Sequence, residues 1–155
     1  MSQTLTSLLV HLVFSTNNRE PLITPDVEPN LFAYIGGILR NNQSRLLDAG
    51  GDRDHVHLLI SQSKNLALSN LLKEVKGDSS LWIKSQGREF RYFHWQDGYG
   101  AFSFGKSDLP ALQKYVATQK DHHKKQTFKE ELIIPSAPST GHHRKERGLR
   151  FGYSQ

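Results

Sequence analysis

"RDHVHLLISQ", residues 53–62, sets two histidines around one valine at the mouth of an apolar run. Side chains alternate across a β-strand, so His55, His57 and Leu59 share one face and Val56, Leu58 and Ile60 share the other. The second set is apolar throughout and reads as core. The first puts two imidazoles side by side on one surface of the same strand. With 8 histidines in 155 residues, a chance His-x-His arises about 0.4 times in a chain of this composition, so the rest of the sequence must give the motif its meaning.

Length and a 36% hydrophobic content allow one ordinary domain with its own core. No run approaches the ~18 apolar residues of a membrane span, and "MSQTLTSLLVHLVFS" lacks the basic start and small-residue cleavage site of a signal peptide. A cytoplasmic protein without membrane contact is therefore expected. The absence of cysteine excludes disulfides, thiolate zinc sites and cysteine nucleophiles, so any metal must sit on histidine, carboxylate or amide. Residues 1–119 hold 12 Lys and Arg against 11 Asp and Glu, whereas 120–155 hold 8 against 4. A basic segment just beyond a candidate site suits a polyanion such as nucleic acid.

The order of elements turns the strand into a fold. "TSLLVHLVFST" (6–16) reads as a first, mostly buried strand, and a helix over 26–42 follows with Pro25 or Pro29 in its first turn. "SRLLDAGG" (44–51) reads as a second strand, turned by Gly50–Gly51 into the His-x-His strand. A second long helix spans 65–85, with Leu68, Leu72, Val75 and Trp82 on one face. "FRYFHWQ" and "AFSF", either side of the turn "DGYG", read as a further strand pair. This β-α-β-β-α-β order spells an α+β, ferredoxin-like antiparallel sheet with both helices on one face. In that topology the third strand is central, so His55 and His57 stand in the middle of the uncovered face.

A last helix over "LPALQKYVATQKDHH" carries Leu109, Leu112 and Val116 as its stripe, with Tyr115 and Gln119 four residues apart on the stripe's edge. Laid across the open face of the sheet, it would bring a phenol and an amide oxygen to the two imidazoles.

From about Leu8 to Leu132 the chain resembles the single-tyrosine, HUH-type transposases of small insertion sequences, the IS-two-hundred-like family. The resemblance rests on "HLVFSTNNREPLI", "GGDRDHVHLLIS", "KEVKGDSSLWI", "FHWQDGYGAFSF" and "YVATQKDHHKKQTFKEEL", in the family's order and spacing. It implies the ferredoxin-like fold with a C-terminal helix carrying the tyrosine on the other face. It also implies His55 and His57 as metal ligands, Gln119 as the third, and Tyr115 as the nucleophile. Such enzymes cut and rejoin single-stranded DNA at element ends, recognise imperfect hairpins, need a divalent cation, and work as homodimers whose active sites are shared between subunits. A domesticated or decayed hairpin-DNA-binding relative, or a HUH nickase, would carry the same residues.

Two imidazoles and an amide oxygen leave open positions for phosphate and water on a hexacoordinate ion, which suits Mg²⁺ or Mn²⁺ better than a closed zinc site. A tyrosine with a pKa of about 10 needs proximity and a cation's field to act at neutral pH. The covalent product conserves the phosphodiester, so no nucleotide cofactor is needed, and no Walker pattern occurs. Asp52 and Asp54 read as turn residues, Asp54 pointing away from the histidines. Single-strand binding asks for cations and aromatic faces. The candidates are Arg91, His94, Trp95, Lys120, His122, His123 and Lys124. The transposase domain is expected over 1–134, where the family pattern would continue as a helix; here "IPSAPSTGHHRKERGLRFGYSQ" follows, and 135–155 reads as a loosely ordered Pro/Ser/Gly and basic tail.

Overall fold

Two seven-residue strands, β1 (Leu9–Ser15) and β3 (His55–Ser61), pair antiparallel through the centre of the protein, from Leu9 opposite Ser61 to Ser15 opposite His55. Nearly every residue of both is buried, because both faces of this pair are covered. A computed structural model describes residues 3–122 of the chain. Its remaining elements are α1 (Glu28–Asn41), β2 (Arg45–Asp52), α2 (Leu68–Lys84), β4 (Gly100–Ser103), α3 (Leu109–Ala117) and α4 (Gln119–His122). The sheet order is β2-β3-β1-β4, with every pair antiparallel, which is the expected ferredoxin-like arrangement.

One face of the sheet carries Val10, Leu12 and Phe14 of β1 with Val56, Leu58 and Ile60 of β3. It packs on Leu31, Ile35 and Leu39 of α1 and on Leu71, Leu72, Val75 and Ile83 of α2. Pro29 sits in the first turn of α1, where its missing N–H removes no ladder bond. The opposite face carries Leu59, on which Leu112 and Val116 of α3 pack, with Leu47, Leu109 and Tyr115 at the rim. The tyrosine helix thus covers the face that α1 and α2 leave open. Among the described residues no helix is long and apolar enough to cross a membrane.

In three places the structure departs from the sequence expectation. First, the turn between β2 and β3 falls at Arg53–Asp54, not at the glycines: Gly50 and Gly51 are strand residues opposite His57 and Val56. Gly50 is needed for close approach, since a Cβ there would collide with the backbone carbonyl of Val116 and lie 2.7 Å from its Cγ1. β2 also carries a bulge between Leu46 and Asp48, opposite Ile60 and Leu59. Second, "FRYFHWQ" is not a strand. Arg88–Phe90 forms a 3₁₀ turn, and the segment's pairing with the end of β1 is an isolated bridge from Trp95 to Thr16. Its buried residues Phe90, Phe93 and Trp95 do not alternate, because they fill a corner of the core and not a pleat.

Third, the last helix is broken at Thr118, whose hydroxyl bonds back to the carbonyl oxygens of Lys114 at 3.0 Å and Tyr115 at 3.3 Å. That local bond competes with continuation of the ladder, and α4 restarts at Gln119. The expected boundary at 134/135, His123, Lys124 and the tail lie outside the described residues.

Trp95 locks this corner: its ring meets Phe14 and Phe93 edge-on at 4.8 Å each, and its indole N–H donates to Ser79 Oγ at 3.0 Å. Trp95→Phe is expected to leave the buried Ser79 hydroxyl short of a partner and to destabilise the protein by about 1–3 kcal/mol, read as a lower urea midpoint with an unchanged m-value.

Candidate functional site

His55 and His57 enter the site because β3 alternates: their neighbours Val56 and Leu58 go to the helical core and the imidazoles go to the α3 side. Both are shut away from solvent, at 0% and 1% exposure, with ring centroids 5.2 Å apart. Tyr115 stands edge-on to His57 at 5.6 Å, and Gln119 Oε1 lies 3.4 Å from His55 Nε2. The Gln119 amide nitrogen donates to the Tyr115 carbonyl at 3.2 Å, which ties the amide to the turn bearing the phenol despite the break at Thr118. The four residues singled out from sequence meet within one chain.

Two residues that sequence reasoning left aside complete the arrangement. Asp54 does not point away: its Oδ1 is 2.8 Å from His55 Nδ1, and its Oδ2 accepts from Arg19 Nε at 3.0 Å. Asp54 lies in the hairpin turn, where strand alternation no longer governs direction. Its backbone is fixed by bonds from Thr16 N–H at 2.9 Å and the Thr16 hydroxyl at 3.2 Å to its carbonyl oxygen. Burial alone would raise the Asp54 carboxyl, but the hydrogen bond and charge of His55, together with Arg19, outweigh it and hold the group at about 2.

On the other flank, His11 of β1 places Nε2 2.8 Å from His57 Nδ1, and both rings are 1% exposed. Burial pushes His11 from 6.5 down to about 4, so it is neutral at ordinary pH. The available signal was parity: His11, Val13 and Ser15 share a face of β1, opposite the apolar Val10, Leu12 and Phe14.

This donor set fits a hard divalent cation. Asp54 and His11 meet the Nδ1 atoms of the two imidazoles, which assigns the ligand role to Nε2 of each, and the Gln119 amide oxygen lies beside the Nε2 of His55. No cluster of three or more His, Cys, Asp or Glu able to hold a metal occurs among the described residues.

The candidate DNA contacts are scattered. Arg91 and His94 are exposed, the Arg91 guanidinium lying 4.9 Å from the Tyr92 ring centroid. Trp95 is a correction: at 5% exposure its ring is committed to the core and offers no face to a base. The Lys120 side chain is half exposed, its ammonium bonding Glu28 at 2.8 and 3.0 Å and the Gly51 carbonyl at 3.2 Å, which ties α4 to α1 and β2. His122 closes α4.

A ferredoxin-like sheet with an HUH strand under a tyrosine-bearing helix defines a class, and comparison with known proteins agrees with it. Residues 4–119 match the family model described as "Transposase IS200 like". The transposase for insertion sequence element IS200 of Salmonella typhimurium is 29% identical over 142 residues, covering 84% of this chain and 88% of the relative. The ISDra2 transposase TnpA of Deinococcus radiodurans is 22% identical over 116 residues, covering 72% and 83%. Among solved structures, a Deinococcus radiodurans chain superposes with a TM-score of 0.60 at 20% identity, covering 77% of this chain and 98% of that one. A REP-associated tyrosine transposase bound to a REP hairpin superposes at 0.58 and 15% identity, covering 79% and 74%. The chain belongs to the IS200-like transposases, and it is a transposase enzyme.

The buried neutral His11 makes stability pH-dependent. Its folded value of about 4 lies below the ordinary 6.5, so between those limits the unfolded chain binds the extra proton. Its contribution is full above pH 6.5 and is lost as pH falls toward 4. In chelator, the unfolding free energy should drop across that interval by up to about 3 kcal/mol from this group. Urea melts at the two ends should show a smaller drop for His11→Gln.

Proposed function

We propose that this transposase cuts and rejoins single-stranded DNA at insertion-sequence ends through Tyr115, with a divalent cation held by His55, His57 and Gln119. One observation carries the reading: the Tyr115 ring and the Gln119 amide oxygen stand beside two buried imidazoles whose Nδ1 atoms are both already engaged.

Tyr115 supplies the nucleophile. Its phenolic oxygen forms a bond to the scissile phosphorus as the bond to the 3′-oxygen breaks; the phenol gives up its proton and the departing 3′-oxygen gains one. The products are a 5′-phosphotyrosine and a free 3′-hydroxyl, and attack by another 3′-hydroxyl reverses the step without ATP. When bound, Mg²⁺ or Mn²⁺ polarises the scissile phosphate and neutralises charge as it develops. The protein's share is rigidity: β3 fixes the imidazole spacing, and Leu112 and Val116 seat the tyrosine helix on Leu59.

Hairpin DNA is the proposed substrate, supported by the REP hairpin held by the structural relative. Exposed Arg91 and His94 are proposed contacts, and so are Lys120, His122, His123 and Lys124 of the sequence around and after Gln119, where basic residues are in excess. We also propose a homodimer with exchanged tyrosine helices. The α3 contact with its own sheet is small, built on Leu59, Leu112 and Val116, and by two-fold symmetry a partner's sheet offers the same surface.

With a labelled single-stranded hairpin substrate and Mg²⁺ or Mn²⁺, the protein is expected to form a covalent adduct that survives denaturing electrophoresis. Tyr115→Phe should abolish the adduct and spare binding, and His55→Ala or His57→Ala should each remove most cleavage. Gln119→Ala should be milder, since water replaces an amide oxygen. Adduct formation by Tyr115→Phe, or full activity in chelator, overturns the assignment; hairpin binding without any adduct points to a binding module instead.

For the dimer, mixing Tyr115→Phe with His57→Ala protein under subunit exchange should return about a quarter of wild-type activity, because half the dimers are mixed and each holds one intact shared site. No recovery would place each site within one subunit.

A further inference from the structure

Each imidazole on the site face of β3 is backed by a different group. His55 has the Asp54 carboxylate at its Nδ1, whereas His57 has another imidazole, that of His11, at its own. We infer that His11 is a positioning residue for His57: its Nε2 accepts the Nδ1 hydrogen of His57 and so fixes the tautomer whose Nε2 keeps a lone pair for a metal. The inference rests on the proposed role of His57 as a ligand.

Three observations support it. The two nitrogens are 2.8 Å apart in a place water does not reach, so the bond has no solvent competitor. An imidazole that accepts at Nε2 must carry its own hydrogen on Nδ1. That Nδ1 is buried and finds no hydrogen-bond partner among the described residues. An aliphatic side chain in β1 would fill this space with no unsatisfied nitrogen of its own but would take this partner from the buried His57 Nδ1, so it is the contact with His57, and not packing, that calls for an imidazole. A histidine that leaves one nitrogen unsatisfied in order to receive His57 at the other is explained by what it does to His57. Its ring also lies 6.3 Å from the rings of Phe102 and Tyr115, which limits how far it can swing. With its Nε2 committed to His57, His11 acts through that residue and is not itself a ligand.

The test uses the full chain without DNA, and Mn²⁺ as the probe. Long-range ¹H–¹⁵N spectra of the metal-free protein should show His57 protonated at Nδ1. In His11→Leu the same signals should move toward a mixture of tautomers, while circular dichroism stays that of the folded parent. Titration with Mn²⁺ followed by electron paramagnetic resonance should show affinity weakened by about 10–100-fold in His11→Leu, the usual effect of losing such a support. His11→Gln should recover much of the loss, because its amide oxygen can accept at nearly the same point. It also serves if the leucine variant fails to fold. His57 found protonated at Nε2 in the parent overturns the inference. So does unchanged Mn²⁺ affinity in His11→Leu when His57→Ala abolishes binding. Mn²⁺ binding indifferent to His57→Ala would instead sink the ligand reading itself, and the inference with it.

Discussion

The antiparallel pairing of β1 with β3 is the constraint from which the rest follows. Once Leu12 stands opposite Leu58 and Val13 opposite His57, the two-residue period of each strand decides every face. The apolar set goes to α1 and α2, and His11, His55 and His57 go together to the other side. A slip of one residue in this pairing would bury the imidazoles under the helices and turn Val56, Leu58 and Ile60 toward α3. The hydrophobic core therefore guarantees the geometry of the site: the free energy of burying the helix-facing residues is also what holds the register of the histidines.

Around that pair, each functional side chain is held by something more rigid than itself. The Asp54 carboxylate sits on a hairpin turn anchored by Thr16 at the end of β1 and is gripped from outside by Arg19. Asn18 and Arg19 both have left-handed backbones, with φ of 53° each, a local strain accepted in the segment that brings the Arg19 guanidinium to Asp54. Tyr115 depends on a helix whose backbone touches β2 at Gly50, and Gln119 on a hydrogen bond to the Tyr115 carbonyl. Lys120 then secures the following turn to Glu28 and Gly51.

Much of this was legible from the residues. The alternation in "HVHLLI" gives the strand and its two faces, the element order gives the sheet, and the spacing of Tyr115 and Gln119 places them together. What escaped has identifiable physical causes. Asp54 is the turn residue it was read as, but its direction was taken from the alternation of the strand, and the period that directs its neighbours does not hold in a turn. His11 carries its signal only jointly with β3, because single-strand periodicity marks it as one polar residue in an apolar run until the β1–β3 register is known. "FRYFHWQ" has the composition of a strand, yet its buried residues Phe90, Phe93 and Trp95 follow the shape of a cavity, which no local period records. Trp95 looked like a ligand contact because its type favours nucleic acid; tertiary partners distant in sequence had already claimed it.

The bulge in β2 has a bearing on how this enzyme can change over time. Leu46 and Ala49, three residues apart, both pack toward α1 and α2, which an unbroken strand would not permit. The extra residue resets the parity, sending Leu47 to the α3 side and leaving Gly50 beneath Val116. Loss of a single residue between Leu46 and Gly50 would straighten the strand and slide a side chain into the place where α3 meets bare backbone. Among the loops of this fold length can drift, but β2 must keep its count, since the seat of the nucleophile is encoded there as a number of residues as much as by their identity.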